Sequence, residues 1–230
     1  MNGMIDVEVR SISAGYGKVK VLESVSLDIR RGERVVITGP NGSGKSTLLR
    51  VICGTLTPTE GSVAVLGTEL DSIANRQRVR QKIGFLTQVQ QDPQIPLTVR
   101  ESVLLGLWGK RFAWTGRPDQ DDREQVASRL EMVGMAHVAD RDIRTLSGGQ
   151  RQRVALARAL VKDPAMILMD EPTTYLDTAA KEELLLRLGE LHGALQFTLV
   201  MVSHEQLGTL AVDRHLHMEN GRIREEDSGS

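Results

Sequence analysis

The most informative absences in this sequence concern cysteine, net charge and long apolar runs. The single cysteine, Cys53, excludes a disulfide within the chain and is typical of proteins from a reducing compartment. A formal net charge of -1 gives no electrostatic footprint for nucleic acid, so we expect no nucleic-acid partner. Apolar runs such as residues 165–169 are far too short to span a bilayer, and the polar N-terminus shows no secretory signal. If the chain works at a membrane, we expect another protein to supply the membrane part.

What is present is ordinary for a soluble globular protein. Hydrophobic residues make up 40% of the 230 positions and charged residues 26%. A chain of this length can form one large domain or two small ones, and in either case it can bury a substantial core. The composition therefore indicates no particular function, and local motifs must supply that information.

The periodicity of apolar residues predicts an α/β protein. Alternating or continuous apolar patterns predict strands at residues 5–9, 25–29, 34–38, 61–67, 83–86 and 198–202, with a further buried strand starting at Met166. Helical patterns occupy residues 45–52, 99–107, 121–133, 149–162 and 179–191. We interpret the chain as one domain, with an α/β core at about 1–92 and 164–230 and an inserted helical subdomain at about 93–163.

A glycine-rich run at the end of the predicted strand 34–38 fits the phosphate-binding pattern G-x-x-x-x-G-K-[ST]. The run is Gly39-Pro40-Asn41-Gly42-Ser43-Gly44-Lys45-Ser46. Its glycines let backbone N–H groups converge on phosphate oxygens, and the following helix points its positive N-terminal end at the same anion. We expect Lys45 to reach the β- and γ-phosphates, Ser46 to ligate Mg²⁺, and Thr47 to contact the α-phosphate.

Two acidic residues follow the buried strand that starts at Met166. Asp170 is delivered at the carboxyl end of this strand, where its carboxylate suits Mg²⁺, which prefers oxygen ligands. Glu171 comes next, and there it can orient and deprotonate a water that attacks the γ-phosphate. Pro172 then forces the chain out of the strand. These residues predict a nucleoside triphosphatase.

The pentapeptide Leu146-Ser147-Gly148-Gly149-Gln150 specifies the family. Together with the glycine-rich run and the acidic strand end, it resembles the ATP-binding cassette (ABC) family of transporter motor subunits over nearly the whole chain. The resemblance implies ATP and Mg²⁺ as ligands. It also implies a P-loop core of mixed β-sheet flanked by helices, with an N-terminal antiparallel β-part.

Three further residues match positions in the family. Gln88 resembles the Q-loop glutamine, which meets Mg²⁺ or the attacking water. His204 resembles the switch histidine, which hydrogen-bonds the γ-phosphate and so distinguishes ATP from ADP. Tyr16 resembles the aromatic residue that stacks on adenine. The resemblance thus assigns Glu171, His204 and Gln88 to catalysis.

The same resemblance implies that two chains share each nucleotide. Ser147, Gly148, Gly149 and Gln150 open a predicted helix, which is a second anion site. In the family this second clamp comes from the opposite subunit of a head-to-tail dimer, and Asp177 corresponds to the residue that crosses the interface. Tyr175 is bulkier than the residue many relatives carry at that position.

Other classes fit the sequence less well. A GTPase or small-molecule kinase lacks the pentapeptide, and no Asn-Lys-x-Asp run for guanine recognition is present. DNA-repair ATPases separate the two motifs by long coiled coils, but this sequence has no sustained heptads between them. Translation-type members usually carry two cassettes, and a catalytically dead module would not keep the catalytic residues.

We therefore expect the motor of a transporter at the cytoplasmic face of the membrane, with an integral-membrane permease and a solute-binding protein. The stretch of residues 96–118 resembles metal-ion importers for manganese, zinc or iron, whereas residues 171–177 are closer to iron–siderophore importers. Both predict import of metal, and an exporter motor or a soluble non-transport ATPase is the alternative. Trp108, Phe112 and Trp114 form either a surface for the permease or a small satellite core.

Overall fold

A computed structural model describes residues 4–87, 96–108, 118–204 and 210–226, and within these ranges the chain forms two β-sheets and a group of helices. The strands are β1 Ile5–Tyr16, β2 Val19–Arg30, β3 Arg34–Thr38, β4 Glu60–Val65, β5 Thr68–Glu69, β6 Ile83–Leu86, β7 Met166–Asp170, β8 Thr198–Val202, β9 Arg214–Glu219 and β10 Arg222–Glu225. The α-helices are α1 Lys45–Ile52, α2 Ile73–Arg80, α3 Val99–Leu104, α4 Gln120–Met132, α5 Gly148–Leu160 and α6 Thr178–Leu195. Short 3₁₀ turns occupy Leu105–Leu107, Ala136–Val138 and Ile143–Thr145.

The central sheet has six strands in the order β10-β9-β3-β8-β7-β6. Pairing is parallel from β9 through β6, and β10 returns antiparallel to β9. Every residue of β8 is buried, as expected for a strand covered on both faces, where apolar runs replace alternation. Because parallel strands end at one edge, the chain leaving β3 and the chain leaving β7 emerge at the same edge, with β8 between them.

The second sheet is antiparallel, in the order β2-β1-β4-β5. Helix α1 lies between the two sheets, where Leu48, Leu49 and Ile52 are fully buried. They share one core with Val7 of the antiparallel sheet and Leu168 of the central sheet. This core fixes the first turn of α1 against both sheets.

The helices inserted between β6 and β7 form a second core. Val103 of α3, Val126 of α4 and Leu156 of α5 are all buried in it. Capping boxes start α3 at Thr98 and α4 at Asp119, where each side chain accepts a backbone N–H of the first turn. The fold class predicted from the sequence is confirmed, while the subdomain limits of about 93 and 163 stay a prediction.

Two strands of the antiparallel sheet, β1 and β2, are longer than predicted, whereas β4 ends at Val65, before the predicted limit at residue 67. The expected strand at residues 5–9 continues to Tyr16, and the one expected at 25–29 begins at Val19. The register of β1 with β2 shifts between Val9 and Ile12, and Ser11 adopts a positive φ of 46°. This irregularity breaks the alternation of buried and exposed residues, so the pattern along the sequence ends early.

Among the helices of the described ranges, none combines the length and the apolar character required to traverse a membrane.

Helix α6 provides a matched test of which face stabilises the fold. Leu188 is fully buried, whereas Leu186 is 61% exposed. We expect Leu188→Ala to lower the free energy of unfolding by about 2–5 kcal/mol because it leaves a cavity. Leu186→Ala should change it by less than about 0.5 kcal/mol. Urea unfolding measures both, and equal losses in the two variants would contradict the packing described for α6.

Candidate functional site

The glycine-rich loop of residues 39–44 connects β3 to α1 at the edge where the parallel strands end. Gly39 and Gly44 have positive φ values of 139° and 109°. A Cβ on Gly39 would lie 2.0 Å from the carbonyl oxygen of Met218, and one on Gly44 would lie 2.7 Å from a methyl carbon of Leu22. The loop therefore needs glycine here both for its backbone conformation and for its close packing.

Lys45 folds its side chain over this loop. Its Nζ donates to the carbonyl oxygens of Gly39, at 2.8 Å, and Pro40, at 3.0 Å. The side chain is buried, and this burial lowers the pKa of the ammonium, although the nearby charges of Glu171 and Asp170 act in the opposite direction. The ammonium is thus held at the loop by two neutral carbonyls.

Ser46 and Asp170 join the loop to the end of β7. Ser46 Oγ donates to Asp170 Oδ1 at 2.7 Å. Burial raises the pKa of the Asp170 carboxyl, and the Ser46 hydrogen bond offsets this in part. A hydroxyl and a partly buried carboxylate side by side are hard oxygen donors, so this pair fits Mg²⁺.

No cluster of three His, Cys, Asp or Glu side chains suited to a metal occurs in the part of the chain that the structure describes. A magnesium ion at Ser46 and Asp170 needs no such cluster, because Mg²⁺ usually keeps several waters and binds phosphate oxygens beside one or two carboxylates.

Glu171 begins the segment that leaves β7. Its φ is +50°, which is uncommon for a residue with a side chain, and its backbone N–H donates to the carbonyl of Val202 at 3.0 Å. Glu171 Oε2 accepts from Thr174 Oγ1 at 3.2 Å and lies 3.7 Å from His204 Nδ1. The structure therefore brings together two predicted catalytic residues, the third, Gln88, being outside the described residues.

These groups open on one cleft of about 550 Å³. Its lining residues are Val21, Asn41, Gly42, Gly44, Lys45, Ser46, Thr47, Asp170 and Glu171. The cleft thus combines loop backbone, one ammonium and two carboxyl groups. A ligand with several anionic oxygens and a bound divalent cation suits this combination.

Ser43 is buried in the same loop, and its carbonyl accepts from the backbone N–H of Gly221 at 3.1 Å. Gly221 belongs to the β9–β10 turn, and its own carbonyl accepts from the N–H of Glu23 at 2.9 Å. This turn therefore supports the loop through a backbone hydrogen bond. The sequence predicted no role for it, since residues 43 and 221 are far apart along the chain.

Tyr16 does not line the cleft. Its hydroxyl accepts from Arg50 at 2.8 Å, and the Arg50 guanidinium carbon lies 5.9 Å from the ring centroid. The side chain remains 44% exposed. Arg50 is a contact that sequence reasoning missed, because 34 positions separate the two residues.

The predicted second anion site lies at the start of α5 and not in the cleft. Ser147 Oγ accepts from the N–H of Gln150 at 3.3 Å, and Gln150 Oε1 accepts from the N–H of Ser147 at 3.0 Å. This capping box closes the first turn of the helix. Asp177 has a similar position, since its Oδ1 accepts from the N–H of Ala180 at 2.8 Å at the start of α6.

Comparison with known proteins now agrees with this geometry. The family model described as "ABC transporter" matches residues 22–174, a range that includes the loop, the α5 pentapeptide and the two carboxyl groups. This chain belongs to the ABC transporter family.

Individual relatives extend the likeness over nearly the whole chain. It is 39% identical over 226 residues to the sulfate/thiosulfate import ATP-binding protein CysA of Escherichia coli (strain K12), covering 97% of this chain and 60% of that protein. It is 37% identical to the spermidine/putrescine import ATP-binding protein PotA of Bacteroides fragilis (strain YCH46), covering 95% and 46%. The chain thus spans less than two thirds of the length of these relatives.

A solved structure shows the same fold. The dimeric post-hydrolysis structure of the ATP-binding cassette MJ0796, bound to ADP and Pi, is 33% identical with a TM-score of 0.81, covering 97% of this chain and 99% of that chain.

The raised pKa of Asp170 gives a test of the site without ligands. Burial in the folded protein disfavours the ionised Asp170 carboxylate, so the fold is destabilised at any pH above the raised pKa of this group. The destabilisation disappears as the pH falls to 3.8, the ordinary pKa of an aspartate, because the carboxyl is then protonated in the folded protein. We expect Asp170→Asn to raise the melting temperature at pH 7 in metal-free buffer, and the gain to shrink in acid. Thermal melts between pH 7 and 4 measure this gain, with Asp71→Asn on the surface as control. A melting temperature of Asp170→Asn below that of the wild type at pH 7 would contradict the destabilising burial of the Asp170 carboxylate.

Proposed function

We propose that this chain binds and hydrolyses ATP and is the motor subunit of an ABC importer. The observation that carries the proposal is the meeting of Lys45, the Ser46–Asp170 pair and Glu171 in one cleft. Family membership and two relatives named as import ATP-binding proteins support it.

In this proposal the glycine-rich loop and the first turn of α1 bind the triphosphate. Backbone N–H groups of the loop and of the first turn of α1 are proposed to contact the phosphates, and Lys45 exchanges its two carbonyl acceptors for β- and γ-phosphate oxygens. Ser46, Asp170 and Gln88 are the proposed Mg²⁺ ligands. When bound, Mg²⁺ neutralises the charge that develops on the phosphate oxygens. Tyr16 is proposed to stack on adenine.

Hydrolysis falls to the segment that leaves β7. The Glu171 carboxylate takes the proton of the attacking water, and Thr174 and His204 beside it hold the carboxylate in position. We assign to His204 a hydrogen bond to the γ-phosphate. The His204 side chain is 41% exposed and lies 3.7 Å from Glu171, which lines the cleft.

The pentapeptide requires a second copy of the chain. Ser147 is exposed, and none of residues 147–150 lines the cleft that holds Lys45. Since α5 presents its N-terminus outward, Ser147, Gly148, Gly149 and Gln150 can clamp the ATP of a partner, with Asp177 at the same interface. The ATP-binding cassette MJ0796 is dimeric in its structure with ADP and Pi, which supports a paired cassette.

A separate groove of about 460 Å³ suits a permease. Its lining includes apolar Phe85, Leu105 and Trp108, and the cations Arg80, Arg158 and Lys162. Trp108 is 71% exposed, which leaves a large apolar surface in water, while Phe112 and Trp114 of the predicted cluster lie outside the described residues. We propose that the chain docks here on its permease at the cytoplasmic face of the membrane and works with a solute-binding protein.

For the cargo we propose a small charged solute, with sulfate or thiosulfate first. CysA supports this choice, and PotA, at nearly equal identity, makes a polyamine the second candidate. Neither importer is named for a metal, so the predicted metal cargo gains no support from them. Uptake of labelled sulfate, spermidine and Mn²⁺ by cells with and without the chain distinguishes the three.

The role of Glu171 predicts a separation of binding from turnover. We expect Glu171→Gln to keep ATP binding, to lower turnover at least about 100-fold because the base is lost, and to accumulate an ATP-bound dimer. Steady-state hydrolysis and size-exclusion chromatography measure these effects. Glu182→Gln, on the exposed face of α6, is the control. Wild-type turnover in Glu171→Gln would refute the assignment.

If the permease docks in this groove, a substitution there should weaken binding of the permease without slowing ATP hydrolysis. We expect Trp108→Ala to weaken co-purification of the permease at least about tenfold, because a large aromatic anchor is removed. ATP hydrolysis by the isolated chain should stay unchanged. Ile73→Ala removes an equally exposed side chain, at 68%, outside the groove and serves as control. Equal co-purification of both variants would exclude this groove as the docking surface.

A further inference from the structure

Helix α5 packs closely on the segment that follows Glu171. A Cβ on Gly148 would lie 3.7 Å from the carbonyl oxygen of Tyr175, and one on Gly149 would lie 2.8 Å from Cβ of Ala180. Further along the helix, Arg153 forms an ion pair with Glu183 of α6. The pentapeptide and the segment after Glu171 therefore share one packed unit.

A small pocket of about 80 Å³ lies within this unit, and Glu171 is the residue that it shares with the lining of the phosphate cleft. Its lining residues are Gly148, Arg151, Gln152, Glu171, Pro172, Thr174, Tyr175 and Leu176. The pocket is polar enough and large enough for one or two water molecules, each of which occupies about 30 Å³ in the liquid. Residues of α5 therefore line the same pocket as Glu171 and Thr174.

Gln152 is the unusual group in this pocket. The residue is only 4% exposed, and its Nε2 has no hydrogen-bond partner within the described chain. A buried donor without a partner destabilises the fold, and native proteins satisfy nearly all such groups. An amide that lines a polar pocket of this size points to a bound water as its acceptor.

We propose that Gln152 is a positioning residue for Glu171. Through one or two waters in the pocket, its amide holds the segment of residues 171–176 in the conformation that hydrolysis requires. This inference rests on the proposed role of Glu171 and adds a residue to which sequence and family comparison assigned no role.

The backbone of Glu171 explains why such support matters. Its φ of +50° is strained for a residue with a side chain, and strain of this kind persists only where the surroundings impose it. Within the segment Thr174 donates to the Glu171 side chain, the Glu171 N–H donates to Val202 of β8, and Gln152 lines the pocket on the side of α5. Because α5 also carries Ser147, a movement of the pentapeptide would reach Glu171 through this pocket.

The test compares two substitutions. Gln152→Leu keeps the size of the side chain but removes the donor, whereas Gln152→Asn keeps the amide but leaves a larger gap. We expect Gln152→Leu to lower kcat at least about tenfold, because small misplacements of catalytic groups are costly. The Kd for ATP should stay within about twofold, since Gln152 does not line the phosphate cleft. Gln152→Asn should retain more activity, and Gln77→Leu on the exposed face of α2 is the control.

A merely structural role predicts the reverse order, with Gln152→Leu well tolerated and Gln152→Asn impaired in melting temperature and turnover alike. That order, or wild-type kcat in a folded Gln152→Leu, would overturn the proposal. A crystal structure of the wild-type protein should show a water within hydrogen-bond distance of the Gln152 amide, and a direct protein acceptor there would also overturn it. Failure of the function proposed above is distinguishable, because Glu171→Gln would then remain active whatever Gln152 does.

Discussion

The hydrogen bond from Ser46 to Asp170 joins the two halves of the site, and the proposed metal site depends on it. One partner stands on the first turn of α1, the other at the end of β7, and β8 lies between β3 and β7 in the sheet. The parallel order places both strand ends at one edge, and the core around α1 fixes the helix against both sheets. Hard oxygen donors meet an ammonium and a glycine-rich backbone there, a combination suited to a metal-bound polyphosphate.

A single chain contains only part of each proposed ATP site. The cleft holds the loop and both carboxyl groups, while the pentapeptide caps α5 elsewhere on the molecule. The capping box of Ser147 and Gln150 closes the first turn of α5 within the single chain, so the proposed partner surface is already folded there. The packing of Gly149 against Ala180 ties this surface to α6 and to the segment that begins at Glu171.

Local sequence patterns predicted the strands and helices that carry the site, but they did not predict the contacts between residues far apart along the chain. Strand β3, helix α1 and strand β8 have the predicted bounds, because a sharp glycine-rich boundary and continuous apolar runs define them. The full length of β1 was missed because a register shift interrupts its alternation. The contact of Tyr16 with Arg50, the support of Ser43 by Gly221 and the burial of Gln152 depend on tertiary packing, for which the sequence offers no local signal.

The central claim is that two copies of the chain share each ATP, and a mixing experiment tests it most directly. In a Glu171→Gln background, one chain carries Lys45→Ala and the other Ser147→Arg, so each alone lacks half of every shared site. A head-to-tail dimer of the two different chains would contain one intact site. The account predicts that neither variant alone forms an ATP-bound dimer and that their mixture does, as measured by light scattering and retained nucleotide. An ATP-bound dimer of either variant alone, or none in the mixture, would contradict it.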